Sequence, residues 1–163
     1  MTVKTLFSSS QSTNSDLLII LIDNSFKLKG YQLEIDKNCS NNISKMLKSR
    51  LLENKKGQSI TFPAFNRSHS FQVMIYCVGK LEDLEIDKTD RLGGKICSEV
   101  MGKYSNVSIS CEFSNDVNDN FAASMLHGFM LRSYSFNKYK AKTKNKIKKI
   151  LKSVEIITKN PSK

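Results

Sequence analysis

The stretch LLIILIDN, Leu17–Asn24, decides the fold. Six apolar residues follow one another from Leu17 to Ile22, without the alternation of a strand that has one wet face. Such a run, closed by the turn-forming pair Asp23-Asn24, is expected of a central strand covered on both sides. It is far too short to cross a bilayer.

FQVMIYCV, Phe71–Val78, reads as a second buried strand, ended by Gly79-Lys80. Between the two, Ser40 is the expected N-cap of a helix carrying Ile43, Met46, Leu47 and Leu51. Gln58–Phe62 is expected to form a short strand stopped by Pro63, and Val3–Phe7 a weakly alternating first strand. Downstream, Leu92, Ile96, Val100 and Tyr104 form one stripe, which predicts an amphipathic helix over Thr89–Tyr104. Val107–Phe113 alternates cleanly and predicts a half-buried strand nearer a sheet edge. A third helix carries Phe121, Ala122, Met125, Leu126 and Phe129, and VEIIT, Val154–Thr158, is a last short strand. Strands alternating with helices define an α/β layered domain with a mixed or mostly parallel sheet.

The 163 residues suit one domain with a real core. The net charge of +11 permits polyanionic or acidic partners but says nothing about fold. Cys39, Cys77, Cys97 and Cys111 are too far apart for metal-site or redox pairs and read as buried, reduced thiols. His69 and His127 have no Cys or His at ligand spacing. The N-terminus lacks a signal-peptide pattern, so a cytoplasmic location without membrane attachment is expected.

Chemistry is sparse. No P-loop, dinucleotide fingerprint, nucleophile elbow or zincin helix motif is present. The acids of LEDLEID, Leu81–Asp87, lie between a strand and a helix, where they favour the positive helix end over acid/base work. Gly93-Gly94 is expected at a helix start, allowing either close packing on a strand or a phosphate at the backbone N–H groups. Lys140, Lys142, Lys144, Lys146, Lys148 and Lys149 are candidate polyanion contacts; a solvated face is the alternative. Tyr134, Phe136 and Tyr139 precede or interleave them, either stacking bases or anchoring the chain by burial.

GFMLRSYSFNKYK, Gly128–Lys140, resembles the segment that closes the N-terminal domain of the leucyl aminopeptidase (cytosol aminopeptidase) family. That segment is a glycine-containing helix followed by a Tyr-x-Phe-Asp-x-Tyr-Lys run; Gly128, Leu131, Tyr134, Phe136, Tyr139 and Lys140 fit it, with Ser135 and Asn137 as departures. FQVMIYCVGK, RLGGKICSEV and Leu17–Ile22 with Asp16 are similar to further family segments in the same order.

The resemblance implies a macro-like α/β domain with a central mixed, mostly parallel sheet flanked by helices. Residues 1–158 would form it, and 159–163 would begin a linker to a catalytic domain. The family's members are cytoplasmic homohexameric metallopeptidases that release N-terminal residues, leucine by preference. They use two divalent ions, zinc or manganese, to activate water. The family's metal ligands lie in the C-terminal domain, in and around an Asn-Thr-Asp-Ala-Glu-Gly-Arg signature that this sequence does not contain. No catalytic or metal-binding residue is therefore expected in this chain, whose implied role is to support assembly and access to the active site. Tyr134, Phe136 and Tyr139 then become structural anchors at the exit of the last helix. The alternative is a stand-alone basic module that binds DNA or other nucleic acid, or an ADP-ribose-type nucleotide near Gly93-Gly94.

Overall fold

The computed structural model describes residues 3–66, 69–113, 120–140 and 149–159, with side chains omitted for 135–140. Six strands are β1 (Lys4–Ser8), β2 (Leu17–Asp23), β3 (Ser59–Phe65), β4 (Ser70–Gly79), β5 (Asn106–Ser110) and β6 (Ser153–Ile157). Four helices are α1 (Tyr31–Asn38), α2 (Asn42–Lys48), α3 (Ile86–Val100) and α4 (Asn120–Lys140). The strands form one sheet in the order β1-β6-β5-β2-β4-β3. Every neighbouring pair is parallel except β3–β4.

β2 is buried along its whole length, as its unbroken apolar run requires. Its side chains alternate between two cores. Leu17, Ile19 and Leu21 join Leu92, Ile96, Met125 and Phe129 of α3 and α4. Leu18, Ile20 and Ile22 join Ile35 and Ile43 of α1 and α2. The architecture is thus a sheet between two helical layers.

Four sequence expectations are corrected. β5 is an interior strand between β2 and β6, and its serines are buried rather than wet. Ser108 donates to the Glu155 carboxylate at 2.8 Å, so its alternating pattern marks a polar bond across the sheet, not an edge. β3 runs through Pro63, paired with Gln72 at the outer edge of the sheet, where a missing N–H is tolerated. Ser40 does not cap α2: the buried Asp36 carboxylate accepts Ile43 N at 2.9 Å and Ser44 N at 3.1 Å. Leu51 lies beyond that helix and is exposed. α3 begins three residues before its expected start, at Ile86, and ends at Val100.

Candidate functional site

In open α/β sheets, ligands settle outside the carboxyl ends of strands where the strand order reverses. Here β4 lies on one side of β2 and β5 on the other. That crevice is filled by the protein itself. Gln32, at 0% exposure, sends Nε2 to the Leu21 carbonyl (3.3 Å), Ser110 Oγ (3.2 Å) and the Glu112 carbonyl (3.0 Å). Tyr31 N donates to Glu112 Oε2 at 2.6 Å. Gly30 has φ +48, a backbone conformation that side-chain-bearing residues rarely adopt, and a Cβ there would press on the Glu112 carboxylate. Burial pushes the Glu112 carboxyl above its ordinary pKa, and hydrogen bonds to the Tyr31 and Gln32 backbone oppose that shift. A phosphate entering here would displace Gln32 and meet an acid.

Gly93 and Gly94 do not start a helix; they lie inside α3. A Cβ on Gly93 would collide with the Met125 carbonyl oxygen, and one on Gly128 with that of Asp90. The two glycines bring the α3 and α4 backbones into direct contact. Gly94 differs: its added Cβ would sit at 3.7 Å from the Gly128 carbonyl, ordinary van der Waals distance. The packing reading of the doublet therefore belongs to Gly93, and it is helix against helix.

The opposite end of the sheet is basic. Lys4 N donates to the Lys152 carbonyl (2.9 Å), Lys152 N to Ser105 (2.7 Å) and Lys149 N to Gly102 (3.2 Å). These bonds bring Lys4, Lys103, Lys149 and Lys152, all exposed, from three chain segments to one edge. Asp16 also lies here, and its carboxylate accepts Ser105 N at 2.9 Å and Asn106 N at 3.0 Å. Lys149 is the candidate polyanion contact whose side chain falls in the described part. The side chain of Lys140, and Lys142, Lys144, Lys146 and Lys148 entirely, lie outside the described residues. Lys4 and Lys103 carried no local signal, because only the strand pairing brings them to Lys149.

Of the anchor candidates, Tyr134 is 73% exposed, so its ring is not packed into this domain. That corrects the expectation of burial at this position. The neighbouring Ser133 is the buried residue, donating to the Met130 carbonyl at 2.8 Å. The side chains of Phe136 and Tyr139 lie outside the described residues.

Cys39, Cys77, Cys97 and Cys111 are free thiols, and burial pushes Cys97 and Cys111 up to about 12. Among the described residues, no group of three His, Cys, Asp or Glu side chains could hold a metal ion. The two-metal chemistry implied by the resemblance does not fit the residues described here. No helix among the described residues is long and apolar enough to cross a membrane.

A mostly parallel six-stranded sheet between two helical pairs places the chain in the macro-like α/β class. It is similar to the macrodomain of Mycobacterium tuberculosis DarG, with TM-score 0.59 and 8% identity over 94% of this chain and 97% of that one. A tomato leucine aminopeptidase mutant superposes with TM-score 0.69 and 14% identity, covering 98% of this chain and 34% of that one. Residues 19–143 match the sequence model of the "Cytosol aminopeptidase family, N-terminal domain". Relatives described as "Probable cytosol aminopeptidase" in Rickettsia bellii and Rickettsia felis are each 30% identical over 159 residues, covering 94% of this chain and 32% of theirs. The chain belongs to the cytosol aminopeptidase family, as its N-terminal domain. It spans about a third of the length of these relatives.

Proposed function

We propose that the chain is the noncatalytic N-terminal domain of a cytoplasmic leucyl aminopeptidase, supporting its homohexameric assembly and access to the active site. Residues 1–158 form the domain, and 159–163 begin the linker to the catalytic domain. The observation that carries this reading is the match to a family N-terminal domain by a chain one third the length of its relatives. Peptide hydrolysis, with leucine preferred, then resides in the catalytic domain and its two zinc or manganese ions.

The test is to follow the reading frame beyond Lys163 and assay both lengths on a leucine amide with added Zn²⁺ or Mn²⁺. The 163-residue chain is expected to be inactive and the extended product active. Metal-dependent hydrolysis by this chain alone, or a stop codon directly after Lys163, overturns the proposal.

A second reading, a basic module for nucleic acid, is supported by the convergence of Lys4, Lys103, Lys149 and Lys152 at one sheet end. It predicts duplex DNA binding that weakens steeply with salt, each lysine-to-alanine change lowering the log–log salt slope by about 1. Absence of binding at low salt removes this reading. The ADP-ribose-type alternative has the filled Gln32–Glu112 crevice against it.

A further inference from the structure

A cleft of about 270 Å³ opens between the loop after β2 and helices α1 and α2. Phe26, Leu28, Leu33 and Leu47 supply its apolar lining. Lys27, Lys29 and Lys48 supply its charge, and no acid lines it. None of these three cations forms an ion pair among the described residues. Leu33 is 45% exposed, an apolar side chain left to water beside the lysines. Phe26 holds a left-handed backbone at φ 54, a costly conformation for a bulky residue and one that recurs at binding loops.

The cleft is smaller and more open than sites that enclose a small molecule, which run to roughly 300–1,000 Å³. Its chemistry suits an acidic protein segment with one projecting apolar side chain. The chain carries such a segment. Leu81–Asp87 packs four acids, Glu82, Asp83, Glu85 and Asp87, into seven residues of a protein that has 15 acids in all. All four acids are exposed. Ile86, in their midst, is 62% exposed. Glu85 pairs only loosely with Lys88, at 3.7 Å.

Cleft and segment lie on different faces. β2 and β4 are neighbours, and both the loop after β2 and Leu81–Asp87 leave the carboxyl end of the sheet. The first passes to the α1/α2 layer and the second to the α3 layer.

We propose that this cleft receives the Leu81–Asp87 segment of a second copy of the chain. Ile86 seats on the apolar lining, and the flanking carboxylates meet Lys27, Lys29 and Lys48. The contact is head-to-tail, so each bound copy still offers an open cleft and an open segment. It is small, hence weak, and its exposed charges make it sensitive to salt. The proposal does not depend on the catalytic reading above.

Sedimentation equilibrium at low salt and protein concentrations up to roughly 1 mM, the range of weak contacts, tests it with two charge-reversed variants. Lys27→Glu/Lys48→Glu destroys the cleft, and Glu82→Lys/Asp83→Lys destroys the segment; all four positions are exposed, so the fold is retained. The wild type is expected to gain mass with concentration, and each variant alone to stay monomeric. A 1:1 mixture should associate again, because the intact cleft of one variant meets the intact segment of the other and the reversed charges of the two altered surfaces also complement each other. A wild type that stays monomeric, a variant that still associates alone, or a mixture that stays monomeric overturns the proposal. So does a nucleoside triphosphate that shifts the amide NMR signals of residues 27–33 in a monomeric wild type, since it assigns the cleft to a small anion.

Discussion

The two helical layers are held to the sheet by different physics. α3 and α4 meet backbone to backbone through Gly93 and Gly128, over an apolar surface built from Leu92, Ile96, Met125 and Phe129. α1 and α2 are short and depend on polar side chains. Asp36 ties the two helices together by accepting the Ile43 and Ser44 N–H groups and the Ser44 hydroxyl. Gln32 fastens α1 to the carboxyl ends of β2 and β5. One layer tolerates no added volume at its crossing, whereas the other tolerates no lost hydrogen-bond partner. The open cleft lies on this second layer, between α1, α2 and the loop after β2.

The sharpest way to break this comparison is Gly93→Ala. The methyl group meets a backbone carbonyl that cannot rotate away, so α3 and α4 must separate. A loss of about 3 kcal/mol is expected in urea denaturation, at the upper end for overpacking. A loss below about 1 kcal/mol would show that the crossing is not tight.

Gln32→Ala comes next, at about 2 kcal/mol, because it strips hydrogen bonds from buried carbonyls at the strand ends. Thermal melts should show the loss at every pH.

Glu112 adds a pH-dependent part. Its folded pKa lies above the unfolded one, chiefly through burial, so the folded state holds the proton more tightly. That stabilisation is fully present below the ordinary carboxylate value and is lost as pH rises through the raised one. The melting temperature should therefore fall across this window in the wild type. In Glu112→Gln, whose amide oxygen can still accept Tyr31 N, this component should disappear. An identical pH profile in both proteins would remove Glu112 as its source.

Gly94→Ala should stabilise by up to about 1 kcal/mol, through helix propensity without a clash. Adjacent glycines would then respond with opposite signs, which no composition argument predicts. Tyr134→Ala is expected to have the smallest effect, within about 0.5 kcal/mol in this chain, because its ring is exposed.

Much of the fold was legible because apolar patterning is a local property. The run Leu17–Ile22 identified the central strand, and the Leu92/Ile96/Val100 stripe identified α3. α1 was not legible. Its buried residues include Gln32 and Asp36, which look like solvent-facing positions until their partners, 78 and 80 residues away for Gln32 and across a turn for Asp36, are in place. β5 misled for a related reason, since Ser108 reads as wet in sequence and is paired with Glu155 in the fold. Of the candidate site, the lysine run was visible and its companions Lys4 and Lys103 were not.

The sequence by itself determined the α/β class, the central strand, the family and the absence of the catalytic signature, because each is written in neighbouring residues. Only the tertiary structure decided which glycine carries the helix crossing, which polar side chains are buried and where separated lysines gather. Those outcomes depend on distances between segments far apart in the chain, and such distances exist only once the sheet has paired.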